Sequence, residues 1–146
     1  MIEPTILLVE DNPSDVELTR RALARSGIAN PLFVVEDGQD ALDYLFCEGA
    51  WADRDPADTP VVILLDLKLP RLDGMEVLRR VKSHPAVRRI PVVILTSSNE
   101  EDDRADGYDL GANSYIRKPV GFEQFAETIR QLGLYWLVIN EKPPRG

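Results

Sequence analysis

The sequence has very few of the residues that build disulfides and zinc sites. Its 146 residues include one cysteine, Cys47, and one histidine, His84. A single cysteine cannot form an internal disulfide, which is typical of proteins in the reducing cytosol, and we expect a cytoplasmic location. Zinc sites need several Cys or His ligands, so no zinc centre is expected. Any chemistry here must rest on carboxylates, amines and hydroxyls.

The sequence also lacks an excess of basic residues and a long apolar run. Its 17 Lys and Arg residues against 25 Asp and Glu residues give a formal net charge of −8. General nucleic-acid binding needs basic patches that replace counterions, so no nucleic-acid partner is expected. The longest apolar run is too short to cross a bilayer, and the N-terminus lacks the basic region of a signal peptide. We therefore expect no membrane association. The glycine-rich patterns of nucleotide-binding loops are missing as well.

What the sequence does contain is a regular alternation of apolar strands and amphipathic helices. Five short apolar runs predict strands at 5–9, 32–35, 61–65, 91–96 and 114–117. Five helices are also predicted. The first follows Asn12-Pro13, with Val16, Leu18, Ala22 and Leu23 on its inward face. The other four lie at about 38–46, up to about His84, after Asn99, and from Phe122 to Trp136. This order predicts an α/β fold of three layers, with a doubly wound parallel sheet between helices. Residues 47–60 predict a long, turn-rich loop.

Polar residues follow several of these strands, at the edge where parallel sheets bind ligands. They are Glu10 and Asp11 after the first strand, Asp66 after the third, Thr96 and Ser97 after the fourth, and Lys118 after the fifth. Like-charged carboxylates about 4 Å apart repel each other by on the order of 4 kcal/mol at an effective dielectric near 20. Positive charge must therefore compensate them, and Lys118 supplies one unit.

A divalent cation can supply the rest of that positive charge. Oxygen-only ligands suit Mg²⁺, which usually keeps positions for water and phosphate. An acidic Mg²⁺ pocket beside a lysine and a hydroxyl can hold a phosphoryl group, because charge spreads over its oxygens during transfer. An aspartate can itself be the covalent acceptor.

Four segments, LLVEDNPSD, ILLDLKLPRLDG, VVILTSS and YIRKP, resemble the landmarks of the two-component response-regulator receiver domain. Each segment alone is a weak signal, but the four in this order, each at a strand end, are specific. The resemblance covers residues 5–137. It implies a flavodoxin-like sheet with strand order 2-1-3-4-5 and one receiver domain over 1–146, in which 138–146 form an extension in dimer contact.

The resemblance assigns roles to the residues of the acidic pocket. The aspartate that matches Asp66 accepts a phosphoryl group from the phosphohistidine of a sensor histidine kinase. Asp11 and Asp66 would bind Mg²⁺ directly, Glu10 would act through a metal-bound water, and the backbone carbonyl of Lys68 would be a further ligand. The side chain of Lys68 adds a cation at the pocket mouth, where the family varies.

Three further residues are implied to respond to the phosphoryl group. Lys118 would pair with its oxygens, and Thr96 would bond to it and move with it. Tyr115 would swing inward as part of the switch, although a plain core position is an alternative reading of Tyr115. The family also has a cis peptide bond at the position of Lys118-Pro119.

Two alternative functions remain open at this point. A Mg²⁺-dependent phosphatase with an aspartyl nucleophile would have a second aspartate two residues after Asp66, whereas position 68 is a lysine. A binding module that takes no phosphate would not need the complete set of pocket residues. We expect a phosphoacceptor with slow self-dephosphorylation at most, not an enzyme.

The C-terminal end predicts a contact with another surface. Residues 134–139 are six consecutive large apolar residues, which project all round a helix and cannot all face one sheet. A folded-back tail could cover them, but we expect a homodimer through Tyr135, Trp136, Leu137 and Val138. This end, the long loop and NSYIRKP are similar to stand-alone regulators of bacterial and cyanobacterial phytochrome histidine kinases. That similarity implies such a kinase as partner, and output through a downstream phosphotransfer or effector protein.

Overall fold

The computed structural model describes residues 5–28, 30–97, 108 and 110–132. Its centre is a sheet of five strands, β1 (Ile6–Val9), β2 (Leu32–Val35), β3 (Val62–Asp66), β4 (Val92–Thr96) and β5 (Ser114–Arg117). All neighbouring strands run parallel, and their order is β2-β1-β3-β4-β5. The predicted fold class and strand order are confirmed.

Four described helices cover the sheet. They are α1 (Pro13–Arg25), α2 (Gly38–Phe46), α3 (Gly74–Ser83) and α4 (Phe122–Gln131). Within the described ranges, no helix combines the length and the apolar character needed to cross a membrane. The helix predicted after Asn99 lies largely outside the described residues. So do the proposed dimer residues Tyr135, Trp136, Leu137 and Val138, and the predicted domain limits remain predictions.

Two apolar clusters fill the space between the sheet and its helices. Along β1, Leu7 and Val9 belong to the cluster under α2 and α3, while Ile6 and Leu8 belong to the cluster under α1 and α4. All residues of β3 and β4 are buried. A strand buried on both faces needs no polar alternation, which explains the continuous apolar runs of the sequence.

Helix α1 departs at one position from the predicted apolar stripe. Leu18 is 36% exposed, whereas Thr19 is buried. The Thr19 hydroxyl donates a hydrogen bond of 2.8 Å to the backbone oxygen of Asp15, which satisfies it inside the core. Positions 16, 19, 22 and 23 share one face of a helix, so Thr19 occupies the inward position and the prediction for Leu18 was wrong.

The loop between α2 and β3 is ordered by aromatic packing and one arginine. It begins with a 3-10 turn at Gly49–Trp51. The Trp51 ring meets the rings of Phe33 and Tyr44 edge-on, with centroids 6.1 and 5.8 Å apart. The Arg54 guanidinium lies 4.5 Å from the centre of the Tyr44 ring, and its Nε donates 2.9 Å to the Tyr44 backbone oxygen. The loop is therefore a packed extension against β2 and α2.

Candidate functional site

Two neighbouring parallel strands bring three carboxylates to one edge of the sheet. Glu10 and Asp11 follow β1 directly, and Asp66 is the last residue of the adjacent β3, one residue later than the predicted strand end. Glu10 is 1% exposed and Asp66 is 6% exposed, while Asp11 faces solvent. One carboxylate oxygen from each of the three lies within 4.8 Å of the others. The structure thus brings together the acidic residues that the sequence predicted.

The Lys118 ammonium lies among these acids. Its Nζ is 2.6 Å from Glu10 Oε1, 3.2 Å from Asp66 Oδ2 and 3.1 Å from Asp15 Oδ2. Burial alone would lower the pKa of Lys118, but the carboxylates of Glu10 and Asp15, with Asp66, raise it above its ordinary value. Lys118 is therefore charged throughout the physiological range and neutralises part of the acidic pocket.

The backbone around Lys118 fixes its position at the end of β5. Its backbone N–H donates 2.9 Å to the oxygen of Thr96, the last residue of β4. The Lys118–Pro119 peptide bond is cis. Thr96 is 6% exposed. The adjacent ends of β4 and β5 therefore hold Thr96 and Lys118 at the same edge as the carboxylates.

Asp15 is a fourth acidic residue at the site, and sequence reasoning missed it. It lies in the first turn of α1, where the Asn12 side chain caps the helix by accepting from the backbone N–H groups of Ser14 and Asp15. From there its carboxylate reaches Lys118. Acidic residues are common in the first turn of a helix, where they interact favourably with the helix dipole. The position of Asp15, four residues after Asp11, therefore did not indicate a role in the site.

These side chains surround a cavity of about 210 Å³. Its lining consists of polar and charged residues, namely Glu10, Asp11, Asn12, Asp15, Asp66, Lys68, Thr96, Ser97 and Lys118. Lys68 is exposed at this cavity. Such a polar cavity suits a small, charged, well-hydrated ligand better than an apolar one.

Tyr115 does not line this cavity. It is partly buried on β5, beside the apolar cluster under α2 and α3. Its ring centroid lies 4.8 Å from that of Tyr108, which is 51% exposed. The switch role of Tyr115 remains a prediction.

The loop after β3 holds Asp66 from both sides. The Lys68 backbone N–H donates 3.3 Å to Asp66 Oδ1, and the Gly74 N–H donates 2.9 Å to the oxygen of Leu67. A Cβ atom on Gly74 would lie 2.3 Å from the Asp66 backbone oxygen and 2.7 Å from the Leu67 Cα. No side chain fits at that distance, so glycine is required for α3 to begin this close to Asp66.

Burial changes the acid–base behaviour of Glu10. The loss of solvation is the largest effect and raises its pKa, the Lys118 ammonium opposes that rise, and the Asp66 carboxylate adds to it, so that the pKa moves from 4.5 to about 7. The folded, metal-free protein therefore keeps a proton on Glu10 between about pH 4.5 and pH 7 that the unfolded chain has released. By linkage, the free energy of unfolding falls as pH rises through this window.

The Glu10→Gln variant tests this pKa in metal-free protein. The variant cannot titrate at position 10, so between about pH 5 and about pH 8 the wild type should lose at least about 1 kcal/mol more unfolding free energy than the variant. Urea unfolding in the presence of a chelator measures both proteins. Parallel curves over this range would contradict the raised pKa.

The donor set of the site fits a hard divalent cation. Glu10, Asp11 and Asp66 supply oxygen ligands only, which Mg²⁺ prefers. Glu10 Oε1 is buried and, in the part of the chain that the structure describes, no donor is well aligned to it for a hydrogen bond. Its 2.6 Å contact with Lys118 Nζ is an ion pair without that alignment. A cation or its bound water would satisfy this oxygen.

Comparison with known proteins assigns the family. The protein-family model of the response regulator receiver domain matches residues 6–130 of this chain. The chain belongs to the response regulator receiver family. The receiver domain predicted from the four sequence segments is thereby confirmed, and the acidic site lies where their polar residues meet.

Three relatives place the chain within this family. The solved structure of the bacteriophytochrome response regulator RtBRR is 53% identical, with a TM-score of 0.85, covering 99% of this chain and 86% of that one. The probable methanogenesis regulatory protein FilR2 from Methanothrix harundinacea is 42% identical, over 94% of this chain and 86% of its own. The Mn²⁺-bound form of response regulator Rcp1 is 36% identical, with a TM-score of 0.76, covering 97% of this chain and 99% of that one. Rcp1 is from a Synechocystis strain.

Proposed function

We propose that this receiver domain takes a phosphoryl group onto Asp66 with Mg²⁺ as cofactor and signals through protein–protein contacts. The observation that carries the proposal is the meeting of the Glu10, Asp11 and Asp66 carboxylates with the Lys118 ammonium around one polar cavity. The metal-bound form of the relative Rcp1 supports a divalent cation in such a site. Mg²⁺, when bound, would neutralise carboxylate and phosphoryl charge together.

In the proposed reaction, an Asp66 carboxylate oxygen attacks the phosphorus of a phosphohistidine. The new O–P bond forms as the N–P bond breaks, and the imidazole leaves with the electron pair and takes a proton from solvent. Lys118 is already 3.2 Å from Asp66 Oδ2, close enough to stabilise the phosphoryl oxygens. Asp11 and Glu10 would hold the cation beside Asp66, with Lys68 offering a backbone oxygen.

Phosphorylation would change the partners of Lys118. The phosphoryl group adds up to about two negative charges next to an ammonium that is now shared among Glu10, Asp15 and Asp66. Drawing Lys118 towards the phosphoryl group would loosen its contact with Asp15. Thr96, at the end of β4, would donate its hydroxyl to the phosphoryl group, and Tyr115 on β5 would follow. A shift in equilibrium between two states then carries the signal.

Lys118→Ala should separate phosphorylation from this switch. The variant keeps the nucleophile and the proposed metal ligands, so some labelling by acetyl phosphate should persist, while the response of Tyr115 should be lost because the ammonium no longer links phosphoryl group and β5. Nuclear magnetic resonance of the Tyr115 amide, before and after phosphorylation, measures the response. Lys68→Ala removes a charge from the pocket mouth and, among the residues that the structure describes, breaks no ion pair, so it is the matched control. An unchanged Tyr115 response in Lys118→Ala would contradict the role of Lys118.

The partner that donates the phosphoryl group is proposed to be a sensor histidine kinase of the bacteriophytochrome type. The support is the 53% identity with the bacteriophytochrome response regulator RtBRR. Phosphotransfer from an autophosphorylated bacteriophytochrome kinase, run beside several unrelated sensor kinases at equal concentration, tests this pairing. Equal or faster transfer from the unrelated kinases would contradict it.

A homodimer is proposed from the C-terminal residues Tyr135, Trp136, Leu137 and Val138, which lie outside the described residues. The argument is the sequence pattern, because six consecutive large apolar residues cannot all face the same sheet. Light scattering at micromolar concentration should give the mass of a dimer. A monomer mass under those conditions would contradict the proposal and favour a folded-back tail.

The protein is proposed to be a phosphoacceptor and not a phosphatase. Position 68, where an aspartyl phosphatase would need its acid, is an exposed lysine at the cavity. Small phosphate esters should therefore label the protein at most once. Many turnovers per molecule would favour the phosphatase instead.

A further inference from the structure

The loop between β3 and α3 contains a turn with an unusual backbone. Arg71 has a φ angle of +64°, in the left-handed region that favours glycine. The Leu72 N–H donates 2.7 Å to the oxygen of Pro70, which closes a three-residue γ-turn around Arg71. γ-turns with positive φ are rare and strained, so neighbouring contacts must hold this one in place.

The contacts that hold the turn come from the start of α2. Arg71 Nε lies 2.9 Å from Asp37 Oδ2, and Nη2 lies 2.8 Å from Asp37 Oδ1 and 3.0 Å from Asp40 Oδ1. We call these contacts the Arg71 bridge. Arg71 and the backbone N–H of Asp40 lower the pKa of Asp37 against the effect of burial, so Asp37 is ionised at neutral pH. Two parallel N–H···O bonds fix orientation as well as distance.

The backbones of the loop and of α2 also approach closely. The Gly38 N–H points to the oxygen of Pro70 at 3.5 Å, and a Cβ on Gly38 would lie 2.0 Å from the oxygen of Leu72. Glycine at position 38 lets the turn rest directly on the start of the helix. The loop is thus fixed against α2 at its middle and against Asp66 at both of its ends.

The Arg71 bridge is partly open to solvent. The Arg71 side chain is 56% exposed and that of Asp37 is 16% exposed, so solvent screens part of their attraction. The bridge holds a strained turn, and the position of that turn matters for the cavity. The loop carries Lys68, whose backbone N–H contacts the Asp66 carboxylate and which lines the cavity. Movement of the turn would move Lys68 relative to Asp66.

We propose that Arg71 is a positioning residue for the cation site. By fixing the γ-turn against Asp37 and Asp40, it holds Lys68 and the Asp66 carboxylate in the arrangement that binds the metal. Arg71 itself does not line the cavity. This inference rests on the proposed function, because it assumes that the pocket binds Mg²⁺.

Three variants test the Arg71 bridge. Arg71→Ala removes the guanidinium and keeps the strained φ, and Arg71→Gly removes the guanidinium and relieves the strain. Asp37→Asn keeps an oxygen that can cap α2 and removes the charge that Arg71 needs. Each should weaken Mg²⁺ binding roughly tenfold, which is the low end of the loss of affinity seen when a residue that supports metal ligands is replaced. Arg21→Ala, which removes the exposed pair with Glu17 on α1, is the matched control and should bind normally.

Isothermal titration with Mg²⁺ measures these affinities without any phosphorylation step, and hydrogen exchange of the 68–74 amides reports the loop itself. The bridge predicts faster exchange in these amides for all three variants in metal-free buffer. Wild-type affinity in Arg71→Gly would overturn the inference, because the backbone would then suffice without the guanidinium. Wild-type affinity in all three would overturn it too. A wild-type protein that binds no Mg²⁺ would overturn the proposed function and this inference together.

Discussion

Replacing Asp66 with asparagine is expected to reduce the extent of phosphorylation by at least a factor of about 100. The amide is close in size to the carboxylate and can still accept the 3.3 Å bond from the Lys68 N–H, so the fold should persist. The amide is not a nucleophile for phosphorus, and the substitution also replaces a charged oxygen ligand of the proposed metal with a neutral one. Intact mass after treatment with acetyl phosphate and Mg²⁺ measures the loss.

A matched variant separates this effect from a general loss of charge. Asp53→Asn changes an exposed acid in the loop between α2 and β3 and should label like the wild type. The Asp66→Asn protein should also show a lower pKa for Glu10, since the Asp66 carboxylate raises that pKa. Acid-stable label on Asp66→Asn at the wild-type level would overturn the assignment of the acceptor.

Replacing Gly74 with serine is expected to lower the free energy of unfolding by about 3 kcal/mol, the upper end for overpacked sites. The new Cβ would lie 2.3 Å from the Asp66 backbone oxygen and 2.7 Å from the Leu67 Cα, and backbone atoms cannot move aside as a flexible side chain can. The start of α3 must shift, and Asp66 must shift with it. Urea unfolding measures the first effect, and a slower rate of labelling by acetyl phosphate measures the second.

Gly121→Ser is the matched control for this substitution. Gly121 precedes α4, its φ is −98°, and a Cβ there meets nothing within 4 Å among the described residues. Serine is a favourable residue at that N-terminal cap position, so stability should stay the same or rise slightly. Equal stability of Gly74→Ser and Gly121→Ser would contradict the steric argument at Asp66.

The sequence predicted most of the site because strand ends are visible in it. Glu10, Asp11 and Asp66 follow apolar runs, and parallel strands bring their carboxyl ends to one edge whatever their sequence separation. The same rule placed Thr96 and Lys118. These positions depend on topology alone, and the topology followed from the alternation of strands and helices.

The residues that escaped prediction depend on contacts between distant segments. Asp15 reaches Lys118 across 103 positions in the chain, and Arg71 reaches Asp37 across 34. Neither contact leaves a periodic signal. The burial of Thr19 in place of Leu18 also rests on a local hydrogen bond that a pattern of apolar residues does not reveal. Sequence patterns thus located the pocket, whereas its supporting contacts required the structure.

In the proposed function, Asp66 becomes an acyl phosphate in the acidic pocket. Borohydride reduces an aspartyl phosphate to homoserine, so reduction after treatment with acetyl phosphate and Mg²⁺, followed by peptide mass mapping, locates the modified residue. Homoserine is expected at position 66 when Mg²⁺ is present, and much less of it when a chelator removes the metal. Homoserine at another aspartate, or an equal yield at position 66 without divalent metal, would contradict it.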